Sequence, residues 1–206
     1  MDSGNIFDVL YQNILNTTLL EIVAVFFGLL SVWYAKKADI KVYPTGIISV
    51  VIYFYICIGV KLYADMGINF VYFVMSIYGW YAWTKKDKKE KILPISFCTK
   101  KEYFINFIMF VFFLITLIYI LKNYTDSNVP YWDSLTTAIF LVGMWLMARK
   151  KVENWILWII GDVISIPLYF YKGLVLTSFQ FSMFLILAVL GYIEWKRKIK
   201  EAQEIA

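Results

Sequence analysis

The sequence predicts an all-α integral membrane protein with seven transmembrane helices, and three observations carry that reading. Of 206 residues, 61% are hydrophobic and 20% aromatic, and the mean hydropathy is +0.67, well beyond the half-apolar make-up of a water-soluble domain. Four stretches, 42–60, 66–84, 103–121 and 173–193, hold no charged residue, and each comes close to the ~20 residues a helix needs to cross a bilayer core. Three more qualify with a single acid each: 9–35 with Glu21, 127–148 with Asp133 and 154–171 with Asp162. The runs are too long for strands and lack period-two alternation.

Taken in order, the helices fall near 15–35, 43–61, 67–84, 103–121, 131–148, 155–171 and 176–195. In the first, Glu21 lies a turn or two inside one membrane surface, where pairing, lining a vestibule and snorkelling all remain open. The second carries Ser49 at useful depth. On the third, Asn69, Phe73, Ser76, Trp80 and Trp83 recur at helical spacing and mix polar with aromatic groups. The fourth is a lone connector. The fifth begins at Tyr131-Trp132-Asp133-Ser134, with Asp133 read as its N-cap. The seventh carries Gln180. Trp83 and Trp195, beside basic residues, read as bilayer-interface anchors.

The sixth helix is the most informative. Trp155, Trp158, Asp162, Ser165 and Tyr169 follow one another at spacings of three and four, which puts all five on one helix face. An acid at the centre of a span costs about 2.5–3.5 kcal/mol on insertion scales, so Asp162 is expected to face a cavity or a cation. Two indoles one turn before a carboxylate can stack a flat ring and balance a positive charge. The plainer reading is a tryptophan belt beside a buried acid bonded to a neighbouring helix.

Seventeen of the twenty basic residues lie on one side: after the first, third, fifth and seventh helices. The positive-inside rule therefore predicts an outside N-terminus and a cytoplasmic C-terminus, and reads the lysine clusters as topology signals rather than nucleic-acid sites. MDSGNIFDVL has no basic n-region, so no cleaved signal peptide is expected. The chain has no histidine, which removes Ser–His–Asp and Cys–His catalysis and His-ligated metal or haem. Cys57 and Cys98 suggest neither a disulfide framework nor a metal site. No cofactor is expected.

A shift of about 112–116 residues makes the two ends of the chain resemble each other. Gly79-Trp80-Tyr81-Ala82-Trp83 overlies Gly191-Tyr192-Ile193-Glu194-Trp195, Tyr53-Phe54-Tyr55 overlies Tyr169-Phe170-Tyr171, and Ser49 overlies Ser165. Lys36-Lys37-Ala38-Asp39 overlies Lys150-Lys151-Val152-Glu153. The reading is one membrane domain over 1–206. A three-helix repeat at 15–84 and a second at 131–198 flank a basic cytoplasmic loop and connector helix at 85–130. This is a 3+1+3 parallel repeat about an axis along the membrane normal, with any substrate site near midplane between the triplets.

On these residues the chain resembles the PnuC-type nicotinamide riboside transporter family, from about Glu21 to Trp195. The most specific parts are Lys151-Val152-Glu153-Asn154-Trp155-Ile156-Leu157-Trp158 and Ile77-Tyr78-Gly79-Trp80-Tyr81-Ala82-Trp83. The resemblance implies a homotrimer in a bacterial inner membrane that moves a vitamin precursor by facilitated diffusion, followed by trapping through cytoplasmic phosphorylation. The family's W-x-x-W-x-x-x-N signature falls on Trp155 and Trp158, whose equivalents contact substrate, but Asp162 stands at the Asn position. An ionised Asp accepts hydrogen bonds only and adds a full charge. With an acid there, the chain looks most like a thiamine-transporting branch, so thiamine is the expected cargo and nicotinamide riboside the alternative. Both are flat and cationic.

The expected contacts are Trp155, Trp158 and Asp162, with Asn69, Ser76, Trp80, Ser49 and Gln180 along the walls. Among rival classes, a retinal photoreceptor needs a lysine within the last helix, and 173–195 has none. A sugar carrier would usually show a Pro-Gln dipeptide, which is absent. An embedded enzyme has poor support, with one midplane carboxylate and no histidine. A cation channel built on a ring of acids is the remaining competitor, and the paired tryptophans favour an organic ligand over it.

Overall fold

A computed structural model describes residues 18–59, 63–86 and 93–205. Among them are seven helices: α1 (Leu19–Lys37), α2 (Val42–Gly59), α3 (Tyr63–Thr84), α4 (Lys100–Tyr124), α5 (Pro130–Ala148), α6 (Glu153–Tyr171) and α7 (Val175–Ile205). The spans agree with the sequence reading to within a few residues, except at the end of the chain. There α7 continues well past 195, carried by the pairs Arg197–Glu194, Arg197–Glu201 and Lys200–Glu204, which lie one helical turn apart. The predicted start of the first helix at 15 lies outside the described residues.

Local chemistry sets the helix ends. At α1, the Glu21 N–H donates to Thr18 Oγ1 at 3.2 Å and the Thr18 N–H donates to the Glu21 carboxylate at 2.6 Å. This reciprocal capping box satisfies two of the helix's orphan donors and answers the open question about Glu21. Thr99 and Glu102 do the same for α4. Asp133 is not a cap: Val129 occupies that position, with Pro130 opening α5. The Asp133 carboxylate instead accepts from Ser127 Oγ at 2.7 Å and from Lys172 Nζ at 2.5 Å, joining the start of α5 to the end of α6.

Six helices form a closed ring. α1 packs on α2, α2 on α3, α3 on α5, α5 on α6, α6 on α7, and α7 returns to α1, while α4 lies outside against α5. Five helices, α1, α2, α4, α6 and α7, are long and apolar enough to cross a membrane by length and composition. α5 is enclosed by α3, α4 and α6 and is the most buried of all, so packing against protein replaces the strong hydropathy that lipid would demand. α4 turns Phe104, Phe107, Phe112 and Ile115 outward, the large apolar exposure expected of a membrane-facing helix.

The core sits at one end of the ring, the end that carries the basic residues. Tyr43, Trp83, Trp155 and Trp195 pack there with Val42, Met147 and Val152. Trp83 and Trp195 are 3% and 0% exposed, so they are not interface anchors. The Trp83 indole N–H is shared between the Met147 and Ala148 carbonyls at 3.2 Å each, and Trp195 donates to Ala35 O at 3.0 Å. Lys150 lies 4.4 Å from the centre of the Trp83 ring. Burial, helped by nearby Lys198, holds its ammonium below the usual lysine range, and the cation–π contact offsets part of that cost.

Candidate functional site

α6 is wedged between α5 and α7 and turns the predicted face into the protein. Trp155, Asp162 and Ser165 are each 1% exposed or less, while Trp158 and Tyr169 are half-buried. The register with α5 is set by close approach at Gly161: a Cβ there would lie 2.2 Å from the Phe140 ring. Only glycine lets Phe140 slide against α6, and Phe140 then stacks on Trp158 with ring centres 5.2 Å apart and planes 24° from parallel. The stack continues from Phe140 to Phe181 and from Phe181 to Tyr169. Ser178 Oγ, donating to Ile166 O at 2.8 Å, ties α7 to the same stretch of α6.

Beside this aromatic stack, the buried face of α6 and the start of α5 carry polar atoms without partners. Both Asp162 oxygens, Ser165 Oγ, Ser134 Oγ and Trp155 Nε1 have no hydrogen-bond partner among the described residues. Such groups each cost roughly 1–3 kcal/mol when left unpaired in a protein interior. A ligand bringing positive charge and hydrogen-bond donors would find acceptors on Asp162 and the serines, and a donor on Trp155. Buried as deeply as it is, Asp162 sees little solvent screening, and its attraction for a cation is correspondingly strong.

The other predicted contacts divide. Ser76 is buried and Asn69 half-buried on α3. Tyr72, between them, lies within electrostatic range of Tyr169 on α6. Gln180 is half-buried on α7 and hydrogen-bonded to Tyr53 on α2. Ser49 is buried, but its hydroxyl donates to Ala24 O at 2.8 Å, a helix-packing role. Trp80 is 41% exposed and points out of the bundle: the buried stripe of α3 runs through Ser76, Gly79 and Trp83 instead. Trp80 is thus not a wall residue.

Sequence reasoning missed Ser134, Phe140, Phe181 and Tyr43. Phe140 and Phe181 look like ordinary apolar positions in apolar runs. Ser134 was visible only as part of a supposed cap. Tyr43 had a signal, because its distance along the chain to Trp155 equals that from Trp83 to Trp195.

Geometry recurs at that spacing throughout the basic end. Tyr43 meets Trp83 edge-on at 5.1 Å, and Trp155 meets Trp195 edge-on at 5.5 Å. Gly79 lies under Tyr43 as Gly191 lies under Trp155. Ala38 and Lys150 both take positive φ, 56° and 51°. The bonds Ala38 N→Ala35 O and Asp39 N→Tyr34 O reappear as Lys150 N→Met147 O and Lys151 N→Leu146 O. In this register Ser49 corresponds to Gly161 rather than to Ser165, so the sequence pairing of the two serines is off by one helical turn.

A family model described as nicotinamide mononucleotide transporter matches residues 18–197. The Nicotinamide riboside transporter PnuC of Escherichia coli (strain K12) is 28% identical, with 88% of this chain and 87% of that one covered. The PnuC of Neisseria mucosa is 27% identical over 86% of this chain and 72% of its own. The Riboflavin/roseoflavin transporter RibM of Streptomyces davaonensis is 23% identical over 82% and 80%. Among solved structures, the crystal structure of the vitamin B3 transporter PnuC superposes with a TM-score of 0.72 at 27% identity, covering 95% of this chain and 88% of that one.

Proposed function

This chain belongs to the nicotinamide mononucleotide transporter family, and from that premise we propose that it carries nicotinamide riboside across the bacterial inner membrane, in which it is a multi-pass protein. The observation that carries the proposal is Asp162: a carboxylate 1% exposed, with neither oxygen partnered among the described residues, on the helix face that also bears Trp155, Trp158 and Ser165. Nicotinamide riboside has a flat pyridinium for the indoles, a fixed positive charge for the carboxylate and ribose hydroxyls for the serines. Trp155, Trp158 and Asp162 are the principal contacts, with Ser165, Ser134, Ser76, Asn69 and Gln180 on the walls. The relatives described as nicotinamide riboside transporters support this cargo.

A second reading, thiamine, rests on one observation: Asp162 stands where the family signature has Asn. A carboxylate also suits a thiazolium and an aminopyrimidine. Calorimetry of the purified chain with nicotinamide riboside, thiamine and riboflavin decides between them. Nicotinamide riboside binding that weakens at least tenfold in Asp162→Ala supports the proposal. Thiamine binding without nicotinamide riboside binding moves the assignment to the second reading, and riboflavin binding alone overturns both.

For transport, the basic end faces the cytoplasm and the N-terminus faces outside, in keeping with the positive-inside rule. The two triplets α1–α3 and α5–α7 form a parallel 3+1+3 repeat joined by α4, a reading supported by the paired contacts that recur between them at the basic end. The triplets meet at two seams, α1 with α7 and α3 with α5. Trp195 bridges one and Trp83 the other, so together they close the cytoplasmic side beneath Asp162. Rocking of the triplets about these seams opens the site to each side in turn. Passage is facilitated diffusion, made directional by phosphorylation of the cargo in the cytoplasm. The protein works as a homotrimer, with the apolar outer faces of α4 and α6 available to neighbouring copies and to lipid. Uptake into proteoliposomes that rises above equilibrium when a proton gradient is imposed would rule out the passive mechanism.

A further inference from the structure

A second buried acid lies outside the ring, where the carrier reading gives it no task. α4 and α6 both pack along α5, and the angle between them encloses a cavity of about 360 Å³. Its walls are apolar along most of their length: Phe107 and Phe110 from α4, Val142 from α5, and Ile156 and Ile160 from α6. Phe107, Ile156 and Ile160 are exposed on the outer surface of the bundle, so the cavity opens sideways, towards the bilayer. At its basic end stand Cys98, Tyr103, Asn106 and Glu153.

Glu153 is 6% exposed. One oxygen, Oε1, accepts the Cys98 N–H at 2.9 Å and the Tyr103 hydroxyl at 2.7 Å. The other, Oε2, is buried and has no N–H or O–H donor among the described residues; the Cys98 thiol also turned to the carboxylate is a weak donor. A carboxylate so placed repels phosphate and selects a donor cation. On the surface near this end the sign reverses: Lys100 and Lys101 are exposed at the start of α4, while Arg149 and Lys151 are paired with Glu102 at 3.1 Å each.

An acid inside, bases on the nearby surface and an apolar trough running into the membrane match one class of ligand. We propose that this groove binds an aminophospholipid: its primary ammonium donates to Glu153 Oε2, its phosphate meets the exposed lysines, and one acyl chain lies along Phe107, Phe110 and Ile160. The lipid braces α4 against α6 beyond the bond that Tyr103 makes to Glu153. A phosphatidylcholine headgroup carries the same charge without an N–H, and a phosphatidylglycerol headgroup offers no cation at all, so the three lipids separate the interactions.

Native mass spectrometry of the full chain, released from detergent in the presence of each lipid with matched acyl chains, tests this. Phosphatidylethanolamine adducts should outnumber phosphatidylcholine adducts about tenfold, and Glu153→Gln should bring them level. Because Glu153 also holds the loop before α4, a second variant, Ile160→Trp, fills the trough and leaves the acid untouched; it should abolish retention of phosphatidylethanolamine. Equal retention of the two lipids by the unsubstituted chain, a preference for phosphatidylglycerol, or unchanged retention in Ile160→Trp would overturn the assignment.

Discussion

The indole N–H of Trp195 donates to the carbonyl of Ala35 at 3.0 Å, fastening the last helix to the first where the ring closes. Trp83 makes the corresponding bond to the end of α5. Each indole bridges a seam where two helices distant in sequence must meet, so each does more than fill volume. Trp195→Phe keeps an aromatic ring and removes the donor, and should lower stability by about 1–2 kcal/mol. Trp83→Phe should cost a similar amount, and the double variant should lose less than the sum, because the two indoles lie 6.2 Å apart in one core and residues in contact couple. Thermal midpoints of the purified variants in detergent measure this. A double variant whose loss equals the sum of the two single losses would mean that the seams open independently despite the contact between the rings.

Trp80 and Trp158 provide a paired test of which tryptophans face the cargo. Trp158 is half-buried and stacked on Phe140, while Trp80 is 41% exposed on the outside of the bundle. Trp158→Ala should weaken vitamin binding by tenfold or more in a calorimetric titration, since it removes a stacking surface beside the carboxylate. Trp80→Ala should leave binding within twofold. Equal effects would put Trp80 back on the wall.

The misplacement of Trp80 shows where sequence periodicity runs out. Steps of three and four place Ser76, Trp80 and Trp83 on a common side, but a stripe about 100° wide accommodates Gly79 just as well. The packing of Tyr43 against Gly79 decides between them, and that partner lies on another helix. Trp83 and Trp195 were misread for a related reason. Lysines beside a tryptophan are the ordinary mark of a membrane interface, and only the closure of the ring reveals that these indoles point inward. Asp133 shows the same limit, because its partner Lys172 lies at the far end of the next helix. The helix spans were legible because a bilayer imposes a length on each apolar run. The face of α6 was legible because all five of its residues lie on one helix. Glu153 left no trace in the sequence beyond one acid at the start of a helix.

Cys98 should be a slow thiol. Burial first, and then the Glu153 carboxylate, push it up to about 12, so little thiolate exists at pH 8. Alkylation of the folded chain at that pH should run on the order of a thousandfold slower than that of a free cysteine, because only the thiolate reacts. The rate should keep climbing as pH rises past about 10, where an ordinary thiol has levelled off. Glu153→Gln removes a negative neighbour and leaves the burial, so it should speed the reaction. A fast reaction at pH 8 in the unsubstituted chain would mean that the loop bearing Cys98 does not hold its thiol against Glu153.

Gly191 offers a way to move Trp155 without replacing it. A Cβ at Gly191 would come within 2.6 Å of the Trp155 ring, and one at Gly79 within 2.3 Å of the Tyr43 ring. Neither ring has room to retreat: Trp155 is backed by Trp195 and Tyr43 by Trp83. Both Gly191→Ala and Gly79→Ala overpack the same core at equivalent places, and each should cost about 1–3 kcal/mol, read as a drop in thermal midpoint. Their effects on binding should differ. Gly191→Ala displaces an indole on the same face as Asp162 and should weaken vitamin affinity severalfold beyond Gly79→Ala, which displaces a ring on the opposite triplet. Equal losses of stability with unequal losses of affinity would assign Trp155 to the binding surface. Equal losses of both would make Trp155 a structural partner of Trp195 alone, and would leave Trp158 and Asp162 as the contacts on α6.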